Sequence, residues 1–186
     1  VAGGQSVRST DTAERETSDL WRPDGKKIGY LSSKSGDMQL WEMNPDGTGA
    51  VQVSEIKGGI TGFKYSPDMK TILYTADVKV KPDVHDLFPD LPKANAYLET
   101  DLMYKHWDEW VQTVPHPFVA EYKDGKLLNP VDILEGESFE SPMKPFGGLE
   151  QLDWSPDSKT VAYTCRKKTG KEYAISTNSD IYFYNI

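Results

Sequence analysis

Three stretches of this sequence repeat one pattern, and an internal repeat constrains a fold more tightly than any local motif. They are Leu20-Trp-Arg-Pro-Asp-Gly-Lys-Lys-Ile-Gly-Tyr30, Phe63-Lys-Tyr-Ser-Pro-Asp-Met-Lys-Thr-Ile-Leu-Tyr74 and Leu152-Asp-Trp-Ser-Pro-Asp-Ser-Lys-Thr-Val-Ala-Tyr163. Each reads as a β-hairpin. An aromatic residue (Trp21, Tyr65 or Trp154) closes one strand. Pro-Asp then makes the turn, because proline presets φ and the aspartate can accept from the backbone beyond it. A second strand with an apolar face follows.

The spacing carries the argument to the level of architecture. Pro23 and Pro67 lie 44 residues apart, and Pro67 and Pro156 lie 89 apart, about twice as far. A period of roughly 40–45 residues with four strands marks the blade of a β-propeller. The predicted class is all-β, a partial propeller of about three four-stranded blades. Blade one is traced over residues 14–55, blade two over 61–135 and an incomplete blade three over 149–186. Residues 3–10 align with the last strand of a blade, and are read as the end of a preceding one. The doubled spacing is read as an insertion over residues 77–116 in blade two, rather than as a degenerate fourth blade. The insertion is predicted to be partly helical, over Lys93–His106, with Asp101 and Lys105 paired four residues apart. Both ends fall inside the repeat, and three blades leave open edges. The expectation is therefore a fragment of a longer propeller, of marginal stability when isolated.

Composition narrows the function classes. The net charge of −8 opposes nucleic-acid phosphates and anionic membranes. No apolar run approaches the roughly 18 residues that would span a bilayer. The single cysteine, Cys165, leaves no internal disulfide or cysteine-based zinc cluster. It falls on a predicted inner strand beside Tyr163 and is read as a buried, inert thiol. His85, His106 and His116 are too scattered for a local metal motif, so packing is the default reading. Neither a Gly-x-Ser-x-Gly elbow, a phosphate loop nor an HExxH motif occurs. Catalytic residues are therefore assigned to none of these positions, and no cofactor or metal is called for.

The densest chemistry is Tyr104-Lys-His-Trp-Asp-Glu-Trp110, inside the insertion. One reading is an aromatic plug packing the insertion on the blades. The other is that Asp108 or Glu109 reaches a ligand pocket, where a partly desolvated carboxylate holds an ammonium group by charge-assisted hydrogen bonds.

The Trp/Tyr-Ser-Pro-Asp hairpins resemble those of TolB-like propellers. Asp101-Leu-Met-Tyr-Lys-His-Trp-Asp-Glu-Trp110, then His116-Pro-Phe-Val119, Ser155-Pro-Asp-Ser-Lys159 and Asn178-Ser-Asp-Ile-Tyr182, resemble the propeller of prolyl-oligopeptidase-family serine peptidases. The similarity is nearest to the bacterial dipeptidyl-peptidase five and acylaminoacyl-peptidase branch. It implies a parent whose C-terminal α/β-hydrolase domain carries a Ser-Asp-His triad outside this chain. The propeller would cap that domain and admit peptides by size. It further implies Asp108 and Glu109 as candidate contacts for a substrate's free amine, although the paired-Glu motif of the best-known members is absent. The periplasm or cell envelope is favoured on the same ground, and the chain alone is expected to hydrolyse nothing. Two other readings compete: a TolB-like propeller that binds a protein partner in the cell envelope, and a module of a polysaccharide-processing or sensor protein. Fold analogy does not separate the three.

Overall fold

The computed structural model describes residues 3–186. In chain order, the first strands are β1 (Glu16–Trp21), β2 (Ile28–Ser32), β3 (Gln39–Met43) and β4 (Val51–Gln52). They form one antiparallel sheet in the order β1-β2-β3-β4. Next come β5 (Gly62–Tyr65), β6 (Thr71–Lys79), a one-turn helix α1 (Val84–Leu87), the two-residue strands β7 (Lys105–His106) and β8 (Glu109–Trp110), then β9 (Thr113–Lys123) and β10 (Lys126–Asp132). Of these, β10-β9-β6-β5 make a second four-stranded sheet, while β7 and β8 pair only with each other. The chain ends with β11 (Leu152–Trp154), β12 (Thr160–Cys165), helix α2 (Gly170–Ile175) and β13 (Asp180–Asn185), whose strands form a third sheet of three. The antiparallel, mostly-β character follows the sequence expectation.

All three Pro-Asp turns close alike. The aspartate accepts from the backbone two residues on: Lys26 N to Asp24 at 3.1 Å, Lys70 N to Asp68 at 3.1 Å, Lys159 N to Asp157 at 3.2 Å. A left-handed residue then follows, Gly25, Met69 or Ser158, with φ of 69°, 58° and 62°. Only Gly25 adopts that conformation without steric cost. The other two turns are braced by a serine hydroxyl, since Ser66 and Ser155 each donate to the turn aspartate at 2.8 and 2.6 Å.

Period-two alternation on β6 decides how the sheets stack. Ile72, Tyr74 and Ala76 join Leu31, Leu40, Val53 and Phe63 in a core between the first and second sheets. Leu73 points the other way, into a core with Val119, Leu152, Val161 and Cys165 between the second and third. The inner strands of the middle sheet are thus covered on both faces, whereas its edge strand β10 is largely exposed and β13 leaves Ile181 and Phe183 exposed. Cys165 is fully buried, its thiol 3.4 Å from the Glu140 carbonyl, and burial pushes its pKa up to about 12. Its reaction with a thiol reagent at pH 8 is expected to be on the order of 10³-fold or more slower in the native protein than in urea, because attack requires a thiolate and an opened core.

Residues 3–10 lie outside every ladder among the described residues. One expectation is corrected. Lys93–His106 is not helical. Its scattered apolar residues make no 3.6-residue stripe to bury, and Pro89 and Pro92 interrupt the approach. The helical turn forms earlier, at α1. There Asp83 caps the backbone of His85 and Asp86, and Asp86 returns the bond to Asp83 N.

Candidate functional site

Every long departure from the repeat emerges at one end of the sheets. Segment 80–112 leaves β6 and re-enters β9 where Lys79 pairs with Thr113. Segment 166–179 leaves β12 and re-enters β13 where Cys165 pairs with Asp180. Segment 133–151 connects the second sheet to the third and bonds to the strand that borders each of the other segments. Ser141 N donates to the Pro115 carbonyl at 2.9 Å, and Ser141 Oγ to the Thr164 carbonyl at 2.9 Å.

Glu140 is the knot of this end. Only 3% exposed, it holds His106 Nε2 at 2.9 Å through one oxygen and receives the Tyr173 hydroxyl at 3.3 Å through the other. Burial and the nearby Glu140 charge push the Tyr173 hydroxyl up to about 12. The Arg166 guanidinium lies over the Tyr173 ring at 4.2 Å. Glu140, on segment 133–151, is thereby bonded to one residue from each of the other two segments, His106 and Tyr173. A second histidine–carboxylate pair lies deeper, where His116 Nδ1 sits 2.8 Å from Asp132.

The expected aromatic cluster is a hairpin, not a helix face. Lys105 pairs with Trp110 and His106 with Glu109, and Trp107 sits in the turn at φ 54°. Trp110 stacks on Tyr97 at 4.4 Å, with the Lys105 ammonium 4.6 Å from the Trp110 ring. The predicted Asp101–Lys105 pair is absent. Asp101 instead accepts from Gly170 N at 3.1 Å, tying the insertion to α2. Trp107 lies exposed against Phe146 of the 133–151 segment, ring centroids 5.1 Å apart.

Asp108 occupies the hairpin turn and Glu109 the start of β8, both exposed. Glu109 lines a shallow hollow of about 120 Å³ with His106, Trp110 and Lys144. Behind the hairpin lies a larger cavity of about 180 Å³, lined from all three segments by Lys81, Glu99, Asp101, Ser138, Phe139 and Tyr173 among others. Glu99, Glu140 and Tyr173 escaped the sequence reading. Each stands in a stretch without a recognisable spacing, and only the convergence of the three segments brings them together.

No family model matches the chain. Over 184 residues, 99% of its length, it is 54% identical to the dipeptidyl-peptidase 5 of Porphyromonas gingivalis, and it spans 27% of that protein. To the dipeptidyl-peptidase 5 of Porphyromonas endodontalis it is 51% identical over 177 residues, 95% of this chain and 26% of the relative. Among solved structures, the acylaminoacyl peptidase of Pyrococcus horikoshii superposes with a TM-score of 0.59 at 14% identity, over 92% of this chain and 24% of that one. TolB from Acinetobacter baumannii superposes with a TM-score of 0.51 at 16% identity, over 95% and 31%. At such identities the two superpositions speak to fold alone.

Proposed function

This chain belongs to the prolyl-oligopeptidase family, corresponding to a propeller portion of the dipeptidyl-peptidase 5 proteins, and from that premise we propose that it is the substrate-gating region of a serine exopeptidase acting on peptides. The observation that carries the reading is the 54% identity running through 99% of the chain, insertion included, and not through the hairpins alone. In this reading the chain forms about three blades, with boundaries near residues 14–55, 61–135 and 149–186 and an insertion over 77–116. A C-terminal α/β-hydrolase domain of the same parent supplies the triad. The end of the sheets that gathers the three segments faces that domain and limits entry by size.

Asp108 and Glu109 form the outer contact for the substrate's amine. Exposed carboxylates hold an ammonium weakly in water. Their part is to raise the local concentration of the positively charged end of a peptide at the mouth. In the full-length peptidase, Asp108→Asn with Glu109→Gln is expected to lower kcat/KM for free-amine peptides by roughly three- to tenfold at low salt, with little loss near 1 M salt. N-terminally blocked peptides should change far less. Equal losses on both kinds of peptide would remove the steering role.

A further inference from the structure

The hairpin of the insertion is a structural unit of its own. Its strands β7 and β8 pair only with each other, and Val111 N closes the stem on the Tyr104 carbonyl at 2.9 Å. Its anchors on segment 133–151 are side chains, His106 on Glu140 and Trp107 against Phe146. An element held by side-chain contacts, outside any larger ladder, opens at lower free energy than the sheets around it. Helix α2 is attached in the same manner. None of its six residues is buried, and Tyr173 ties it to Glu140 while its ring lies under the Arg166 guanidinium.

Both attachments end on one carboxylate, and its base is fixed. The Glu140 carbonyl accepts the Cys165 thiol at 3.4 Å, and Ser141 beside it bonds to the Pro115 and Thr164 carbonyls of β9 and β12. The carboxylate itself is 3% exposed, with His106 on one oxygen and the Tyr173 hydroxyl on the other. The two ties are therefore not independent. When the imidazole leaves, one oxygen of a buried charge is left bare, and water has to enter to satisfy it. Water that reaches the first oxygen competes for the second, so the Tyr173 bond weakens along with the His106 bond. A half-satisfied buried charge is the least stable arrangement, which favours both ties closed or both open.

The two elements also border one space. Met103 and Val111, which flank the hairpin, line the cavity together with Thr169 and Tyr173 of the α2 segment and with Ser138 and Phe139 of the segment that carries Glu140. Movement of either element changes the size of that cavity.

We propose that Glu140 interlocks the hairpin with the α2 segment, so that the two open together as a single leaf at this end of the sheets. That the leaf stands in the way of an entering peptide rests on the gating reading. Glu140 is then a positioning residue, acting through His106 and Tyr173.

Hydrogen exchange of the full-length protein, read by mass spectrometry, tests the coupling. Tyr173→Phe removes one hydroxyl from the α2 segment and keeps the ring under Arg166. It is expected to speed exchange of the amides of residues 105–111, in the other segment, at least about fivefold relative to the Val53 amide. Val53 N bonds to the Leu40 carbonyl in the core between the first two sheets and reports on the fold as a whole. His106→Ala should speed the Ser176 amide, bonded to the Glu172 carbonyl at the end of α2, by a similar factor. His106→Gln keeps a donor for Glu140 and should restore most of that protection. Acceleration confined to the segment that carries the substitution overturns the interlock. So does a uniform loss of protection that leaves the ratios to Val53 unchanged. In the same variants kcat/KM for a long peptide should rise severalfold relative to a dipeptidyl anilide, because a loosened leaf admits bulk. Coupled exchange without that rise upholds the interlock and fails the gating reading alone.

Discussion

Replacing Glu42 by alanine is expected to lower the unfolding free energy by about 3–5 kcal/mol, read as a lower urea midpoint at unchanged slope. Glu42 lies on β3, 2% exposed, yet it binds the first sheet to the second. Tyr65 and Tyr122, both from the second sheet, donate their hydroxyls to Oε1 at 2.8 and 2.6 Å. Arg22 approaches Oε2 at 3.2 Å, while its other nitrogens hold Asp24. Burial and the Glu42 charge hold the Tyr65 hydroxyl far above its ordinary range. Truncation therefore strands the buried Tyr65 hydroxyl, takes an acceptor from the half-buried Tyr122, removes one anionic partner from a guanidinium and opens a hole in one step. A domain with about 5–15 kcal/mol in total has little to spare. Glu42→Gln keeps the volume and an acceptor for the tyrosines, and should cost markedly less. If alanine and glutamine cost the same, the charge rather than the hydrogen-bond geometry is what the interface uses.

A methyl group added at Gly29 is the second large effect. A Cβ there would stand 2.4 Å from the Tyr65 hydroxyl and 3.0 Å from the Phe63 ring. Both neighbours are buried aromatics, stacked edge to face at 5.5 Å, so neither can swing into solvent. Overpacking of this kind costs about 1–3 kcal/mol, and displacement of Tyr65 from Glu42 adds to it. The decisive measurement is a double-mutant cycle. Tyr65→Phe removes the closest clashing atom, so Gly29→Ala should cost at least about 1 kcal/mol less in the Tyr65→Phe background. Additive costs would show that the Phe63 ring, not the hydroxyl, sets the limit.

Gly29 also shows how an interface is written into a repeat. In the repeat alignment Gly29 answers Leu73, and its ladder partner Glu42 answers Val119, the partner of Leu73. The first sheet thus offers a gap and a carboxylate to Tyr65. The second offers Leu73 and Val119 to a core that Trp154 packs against, with its indole N–H 3.4 Å from the Lys64 carbonyl. The hydroxyl of a tyrosine needs a buried acceptor where a tryptophan's flat ring needs apolar cover. Trp21, the equivalent residue of the first hairpin, is 56% exposed, because no sheet among the described residues lies beyond β1.

The Pro-Asp hairpins and their spacing were legible in the sequence because they rest on local causes. Fixed proline φ, an aspartate reaching two residues on, and alternation on a pleated strand all act within a few residues. The excursions were not legible. Lys93–His106 has good helix formers, but formation needs a face to bury, and the tertiary structure offers its residues a hairpin, a cap on α2 and a cavity wall instead. Asp108 and Glu109 stood out by density, and the structure leaves them exposed on a two-stranded hairpin. Glu140 stood out by nothing, and its burial and its bonds to His106 and Tyr173 make it the carboxylate that ties that end together. The partnership of Glu140 depends on a segment remote in the chain, since His106 lies 34 residues away. Sequence by itself determined the repeating sheets. Only the packing of three unrelated segments at one end decided which charges are taken from water, because burial there is made by residues far apart in the chain.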